Sequence, residues 1–366
     1  MRGLNSNIIN FIKQDNSSNA VALRQIISDI NGSNPYKLFL GIRDNYINIY
    51  YKGMSAIKVI FRDNGTIKEV LTHDKYFSGA GSKYKPVVVA DLRDIIAQIN
   101  IYLSKNVTST KNSNHIEKEW QQSSVVENNA SENVDWFCVD MEYIMERKDK
   151  KDPNYGRFDI IAISTEDYAP TIALIEVKVD TGAFASNGVD TPNLKKYKYI
   201  NFNTPNCEKL GSGILGHFSN FIRYLNSTNY MSKNGLLQGR FNILKQEVYS
   251  ILKNYDDLGL YPNIVPSLLA KVNCNSIGDV PEVVFLLLGN NNKITEIKDQ
   301  LDKYVGNSIL GRVPRDTIKN TWDWQTVLSN YNQPSSTINI KYVINIGKPS
   351  GKLFNGINLA SANTIY

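Results

Sequence analysis

The order of apolar segments after residue 115 constrains the fold of this chain more than any other sequence feature. Helical spacing of apolar residues predicts helices there, and runs of β-branched and aromatic residues predict strands. The predicted elements are, in chain order, a helix from Ile116 to Val126, strands from Val134 to Met145, Arg157 to Ser164 and Thr171 to Val179, a helix from Ile214 to Leu225, a strand from Val283 to Leu288, a helix from Ile294 to Tyr304 and a strand from Ile338 to Ile346. This order of helices and strands predicts a mixed α/β domain.

The first 105 residues predict a separate, small α+β domain. Short β-branched and aromatic segments from Lys37 to Ile42, Tyr46 to Tyr51 and Ala56 to Phe61 are separated by turn residues, which favours an antiparallel meander. An amphipathic helix is predicted from Asp91 to Tyr102. The polar run from Asn106 to Asn114 is typical of a linker, so the predicted boundaries are residues 1–105, 106–114 and 115–366.

The composition indicates a globular protein with no strong commitment to one partner. The formal net charge is +6, which suits a polyanion such as nucleic acid without requiring one. Cys138, Cys207 and Cys274 are isolated from one another, so neither a zinc ribbon nor a disulfide framework is expected. The apolar runs are too short for a signal peptide or a membrane span, which predicts a reduced, cytoplasmic protein without a membrane partner.

Two neighbouring predicted strands carry the residues with catalytic potential. One contains Asp159, and the next contains Glu176, Val177 and Lys178 within an otherwise apolar run. Alternate residues of a strand share a face, so Glu176 and Lys178 are expected to point the same way. Two carboxylates suit Mg²⁺, with Mn²⁺ as a substitute, and the carbonyl oxygen of Val177 is a further candidate ligand. A divalent ion acidifies bound water, and a neighbouring lysine can orient that water or stabilise developing negative charge. A purely structural ion pair between the strands is the alternative.

At these residues the chain resembles the PD-(D/E)xK phosphodiesterase superfamily, which has the restriction-endonuclease-like fold. Gly156-Arg157-Phe158-Asp159 is similar to the first motif of the family, with Phe158 where the family name has Pro. Glu176-Val177-Lys178 is similar to the ExK motif. The family core also runs helix, three strands, helix, strand. The resemblance implies a mixed sheet flanked by helices, and it does not extend to the N-terminal domain.

The resemblance implies further acids near the site. The helix His115-Ile116-Glu117-Lys118-Glu119-Trp120-Gln121 resembles the family's E-x-x-x-Q helix, and it makes Glu117 the favoured fourth catalytic residue. Glu119 and Gln121 are alternatives on the same helix. Glu142 is a further alternative, because similar nucleases sometimes carry an acid on the strand before the first motif. For each of these residues a purely structural role stays open.

Basic residues between the third strand and the last core strand predict contacts with nucleic acid. Lys195, Lys196 and Lys198 alternate with tyrosines, a pattern that can bind phosphates and stack on bases. His217 and Arg223 lie on the predicted second core helix, which flanks the site in similar proteins. A solvated loop and a packed histidine are the alternatives for these two groups.

The expected function is therefore Mg²⁺-dependent hydrolysis of nucleic acid, with DNA as the usual substrate of similar proteins and restriction, antiphage defence or repair as their usual settings. The rival hypothesis is a catalytically inactive binding module on the same fold. The N-terminal domain is expected to sense a ligand, to act as a scaffold or to mediate dimerisation. Double-strand cleavage generally needs two active sites, which favours a homodimer. The chain has no P-loop motif, so any helicase would be a separate partner.

Overall fold

The computed structural model divides the chain into two compact units. One comprises residues 1–132 and 246–274, and the other comprises residues 133–245 and 275–366. The residues that the structure describes are 2–73, 84–86, 97, 101, 113–131, 134–145, 156–165, 170–179, 217, 221, 224, 230–231, 237–273, 275–279, 281–289, 315–316, 321–322 and 339–346. The predicted helix from Ile294 to Tyr304 lies outside them, as does most of the predicted helix from Asp91 to Tyr102.

The first unit contains a five-stranded antiparallel sheet and several helices. Its elements are α1 (Ser6–Gln14), α2 (Ser18–Asn31), β1 (Phe39–Ile42), β2 (Tyr46–Tyr51), β3 (Met54–Phe61), β4 (Ile67–His73), β5 (Tyr84–Pro86) and α3 (Ser113–Asn129). The strands follow one another in the sheet in chain order, and each pairs with the next in an antiparallel ladder. The predicted meander is confirmed, and β4 and β5 extend it.

Two later helices complete the description of this part of the chain. They are α4 (Arg240–Asp257), which crosses the division between the units, and α5 (Val265–Lys271). Neither was predicted, and the same is true of α1 and α2. The signals were nonetheless present in the sequence: Asn5 caps α1 by accepting a hydrogen bond from the Ile8 backbone amide, and α1 buries Ile8 and Ile12 at helical spacing.

The division of contacts differs from the predicted domain boundary, because α3 belongs to the first unit. The Gln122 side chain accepts a hydrogen bond from the Gly53 amide at 2.6 Å and donates to the Tyr50 carbonyl at 3.0 Å. Residues 246–274 also return to this unit, where the Tyr255 hydroxyl donates to the Leu40 carbonyl at 2.9 Å. Buried polar groups need such partners, so these bonds fix α3 and the end of α4 on the first sheet.

The second unit is built on a five-stranded mixed sheet. Its strands are β6 (Trp136–Ile144), β7 (Arg157–Ser164), β8 (Ile172–Val179), β11 (Glu282–Gly289) and β14 (Asn339–Ile346), in the sheet order β14-β11-β8-β7-β6. β6, β7 and β8 form antiparallel pairs, whereas β11 runs parallel to both β8 and β14. Two short antiparallel pairs are separate from this sheet: β9 (Tyr230–Met231) with β10 (Leu237–Gln238), and β12 (Arg315–Asp316) with β13 (Thr321–Trp322).

The five strands of the mixed sheet coincide with the five strands predicted after residue 115. The near-continuous apolar sequences of β7 and β8 fit their position in the middle of the sheet, where Ile160, Ile161, Leu174 and Ile175 are buried. The backbone is helical at His217, Phe221 and Tyr224, within the predicted second core helix. The chain is therefore a mixed α/β protein. Among the described residues, no helix combines the length and the apolar character needed to cross a membrane.

Candidate active site

Two charged side chains interrupt the apolar strand β8 and lie buried against each other. Glu176 is 2% exposed and Lys178 is 6% exposed. The Lys178 ammonium donates a hydrogen bond to Oε1 of Glu176 and a second one, at 3.0 Å, to the Val177 carbonyl. The predicted common face of Glu176 and Lys178 is thereby confirmed. Burying two charges is costly unless they are paired in this way.

Asp159 reaches the same place from the neighbouring strand. The ladder between β7 and β8 ends with the pair Ile160 and Ile175, so Asp159 and Glu176 occupy the next level. There the backbone pairing is replaced by a side chain, because Oδ2 of Asp159 accepts a hydrogen bond from the Val177 amide at 2.7 Å. The structure therefore brings together Asp159, Glu176 and Lys178, as the sequence predicts.

The two carboxyl groups differ in electrostatic environment. Burial raises the pKa of Asp159 well above its usual range, and the negative charges of Glu176 and Glu142 act in the same direction, against Lys178. Burial also opposes the ionisation of Glu176, but the His217 and Lys178 side chains outweigh it and lower the pKa of that carboxyl to about 2. One acid is thus held charged and the other is pushed towards its protonated form. An added cation beside Asp159 would shift that group back towards the carboxylate.

A third acid lies at the same level of the sheet. The pairing of Tyr143 with Phe158 places Glu142 on β6 level with Asp159 on β7, which is in turn level with Glu176 on β8. Glu142 has a φ of +51°, a left-handed backbone conformation that is unfavourable for most residues other than glycine. The negative charge of Glu142 acts with burial and Glu176 to raise the pKa of Asp159. Three adjacent strands therefore each contribute one acid.

An aromatic cluster packs the helical residues Phe221 and Tyr224 against the strand that carries Asp159. Phe158, the residue before Asp159, has its ring centroid 5.0 Å from those of both Phe221 and Tyr224. The Tyr224 hydroxyl donates to the Arg240 carbonyl at 3.1 Å. One turn before Phe221, Nε2 of His217 lies 3.1 Å from Oε1 of Glu176.

Glycine at position 156 is required by the packing of this cluster. A Cβ atom there would lie 2.7 Å from Cβ of Met145 and 2.9 Å from the ring of Tyr224. The Gly156 carbonyl also accepts a hydrogen bond from the Met145 amide at 2.7 Å. The glycine of the first motif thus allows the strand that carries Asp159 to approach the helix closely.

The donor chemistry of the site fits a hard divalent cation with an incomplete protein shell. Asp159 and Glu176 offer carboxylate oxygens, and Val177 offers a carbonyl oxygen that already accepts from Lys178. Within the described part of the chain, no group of three or more His, Cys, Asp or Glu side chains is arranged to hold a metal by itself. Mg²⁺ is commonly held by one or two carboxylates, with water and phosphate oxygens in its other positions.

The remaining predicted site residues are either on α3 or outside the described residues. Glu117, Glu119 and Gln121 are on α3, in the first unit. Gln121 is buried, and Glu119 interacts with Tyr51, where burial and then the charge of Glu119 raise the tyrosine pKa. The predicted role of Glu117 stays a prediction. The predicted nucleic-acid contacts Lys195, Lys196, Lys198 and Arg223 lie outside the described residues.

The structure places His217 against Glu176, a contact that the sequence left open. His217 was predicted to contact nucleic acid, and its helix was correctly placed. Phe221 follows His217 by one turn and packs on Phe158 beside Asp159, and this tertiary contact is not visible in the sequence.

No protein-family model, curated protein or solved structure matches the chain.

Proposed function

We propose that this protein is a Mg²⁺-dependent nuclease that hydrolyses phosphodiester bonds of nucleic acid, with DNA as its substrate. The observation that carries the proposal is the meeting of Asp159 and Glu176 at one level of two paired strands, with Lys178 in contact with Glu176. Acid, acid and lysine in this arrangement are the chemical requirements of metal-assisted phosphodiester hydrolysis.

The topology supports a restriction-endonuclease-like core. Three antiparallel strands are followed by helical backbone at His217, Phe221 and Tyr224, and β11 then adds parallel to β8. This is the three strands, helix, strand part of the order that the family resemblance implies. β14 extends the same sheet beyond β11.

Asp159 and Glu176 would hold the metal in this proposal, with the Val177 carbonyl as an additional ligand. Bound Mg²⁺ would supply positive charge that makes the attacking water more acidic and stabilises negative charge on the phosphate. Asp159 is suited to such a cation, because burial and the neighbouring acids disfavour its carboxylate form when no cation is present. The short protein ligand set leaves room for water and a phosphate group.

Lys178 would act on the substrate side of the same site. Its ammonium is held by Glu176 and the Val177 carbonyl, so its position is fixed before substrate arrives. A fixed cation needs little reorganisation when negative charge develops in the transition state, which is the source of its catalytic value. Lys178 would orient the attacking water or stabilise the transferring phosphate.

One observation favours the alternative, a catalytically inactive binding module. The charged groups satisfy one another, since Lys178 bonds Glu176 and Asp159 bonds the Val177 amide. A structural ion pair would show the same contacts. A catalytic role and a purely structural role of these residues therefore predict different results only for variants that change the charges without disturbing the packing.

The test is cleavage of plasmid DNA, single-stranded DNA and RNA with Mg²⁺ or Mn²⁺. Asp159→Asn and Lys178→Met keep approximate shape, and each should reduce cutting at least a hundredfold while DNA binding in Ca²⁺ is retained. Lys245→Met is the matched control, because Lys245 is also a buried lysine, 5% exposed, and is paired with Asp279. Cutting that survives in both site variants would reject the site, and an inactive wild-type protein that still binds DNA would favour the binding module.

We also propose a biological process for the nuclease activity. Restriction, antiphage defence or repair would use a compact nuclease of this kind, with the first unit as a sensor, a scaffold or a dimerisation element. Light scattering with and without DNA would reveal a dimer, which double-strand cleavage by one site per chain generally requires.

A further inference from the structure

His217 is placed to control the geometry of Glu176. Its Nε2 lies 3.1 Å from Oε1 of Glu176, and Lys178 donates to the same oxygen. Two donors on one oxygen restrict rotation of the carboxylate. Both of these contacts use Oε1, so they orient the opposite edge of the carboxylate, Oε2, away from the two donor side chains.

The position of His217 is itself fixed by packing. Phe221, one helical turn later, and Tyr224 are fully buried against Phe158. The Phe221 ring also makes an edge contact with the imidazole, at 6.4 Å between ring centroids. The imidazole side chain is 25% exposed, so it lies at the rim of the site, between the buried acid and solvent. A side chain on a helix anchored in this way can hold a carboxylate with little loss of conformational freedom.

Resting on the proposed nuclease function, we propose that His217 is a positioning residue that orients the Glu176 carboxylate for the divalent cation. It acts through Glu176 and touches neither the metal nor the scissile phosphate. Residues that orient metal ligands by hydrogen bonds typically change metal affinity ten- to a hundredfold when removed. This role replaces the phosphate contact that the sequence predicts for His217.

Engagement with Glu176 explains why a phosphate contact fits less well. If the Nε2 donor turned to a phosphate oxygen, Glu176 would lose one of the two side-chain donors on Oε1 while it stays 2% exposed. A buried carboxylate that loses a donor is strongly disfavoured. The contact of the imidazole with Glu176 is therefore favoured over a contact with phosphate.

The experiment measures Mn²⁺ affinity of the full chain by electron paramagnetic resonance, for wild type, His217→Ala and His217→Gln. The alanine variant should bind Mn²⁺ ten- to a hundredfold more weakly, and the glutamine variant, which keeps an N–H donor, should recover most of that loss. DNA affinity in Ca²⁺ should be the same for all three proteins. His115→Ala is the matched histidine control, since His115 lies on α3 in the first unit.

The outcomes separate this proposal from the nuclease proposal. Wild-type Mn²⁺ affinity in both His217 variants would overturn the positioning role while leaving the nuclease function intact. Weaker DNA binding with unchanged Mn²⁺ affinity would also overturn it, in favour of a phosphate contact. Absence of both Mn²⁺ binding and cutting in the wild-type protein would reject the two proposals together. A folded glutamine variant decides the question even if the alanine variant does not fold.

Discussion

Replacing Asp159 by asparagine should have opposite effects on stability without and with metal. Burial, Glu176 and Glu142 raise the pKa of Asp159 in the folded protein. An acid with a raised folded pKa costs stability as pH rises above its unfolded value, because the folded state must then release a proton against its preference. At neutral pH the metal-free wild type therefore carries a penalty that asparagine does not.

The magnitude follows from what asparagine keeps and what it loses. Its side-chain oxygen can still accept the hydrogen bond that Asp159 takes from the Val177 amide at 2.7 Å. The negative charge is lost and the second carboxylate oxygen is replaced by an amide NH2 group, so Asp159→Asn should stabilise the metal-free protein by about 1–3 kcal/mol at pH 8, the range for an imperfectly satisfied buried polar group. Each kcal/mol raises the melting temperature by about 2–4 °C in a unit of this size. The gain should vanish towards pH 3.

Bound Mn²⁺ should make the wild type more stable than Asp159→Asn. Mn²⁺ at about a hundred times its dissociation constant stabilises a binding protein by about 2.7 kcal/mol. The wild type should gain this stability and Asp159→Asn should gain little. Differential scanning calorimetry at pH 8, with and without Mn²⁺, measures both effects. Glu247→Gln is the control, because Glu247 is a buried acid, 6% exposed, outside the site. A variant less stable than wild type at pH 8 without metal would refute the electrostatic reasoning.

Three further predictions concern the scaffold of the site. Because Glu142 has a φ of +51°, the free energy of unfolding of Glu142→Gly should exceed that of Glu142→Ala by about 1 kcal/mol in urea titrations. Equal free energies would show that the backbone there is not strained. Gly156→Ala should lower the free energy of unfolding by about 1–3 kcal/mol, because the new methyl group would lie 2.9 Å from the Tyr224 ring, and unchanged stability would contradict the close approach. Burial raises the pKa of the Cys138 thiol, so in a variant with the other two cysteines replaced by serine, iodoacetamide should label it only as fast as the protein unfolds; rapid labelling of folded protein would be inconsistent with its burial.

Local sequence pattern was sufficient to identify the strands of the mixed sheet and the residues of the candidate site. β8 is apolar apart from Glu176 and Lys178, and the period of two along a strand places those two side chains on one face whatever the rest of the protein does. The helices α1 and α4 carry equally local signals that were not used. The nuclease function, the metal and the nucleic-acid partner remain proposals drawn from that same pattern.

The position of α3 could not be read from the chain. The polar run from Asn106 to Asn114 is typical of a linker, yet Gln122 bonds Gly53 and Tyr50 in the first unit. Hydrogen bonds between residues about seventy positions apart depend on which surfaces meet after folding, and no local period records them.

By itself, the sequence determined which segments form the mixed sheet and that Glu176 and Lys178 share one face of β8. Tertiary structure decided that Glu142, Asp159 and Glu176 lie at one level of the sheet and that His217 contacts Glu176. The physical reason is that strand register and helix docking are set by pairing and packing across the whole fold. A shift of one residue would turn each acid to the opposite face without altering the local pattern of any strand.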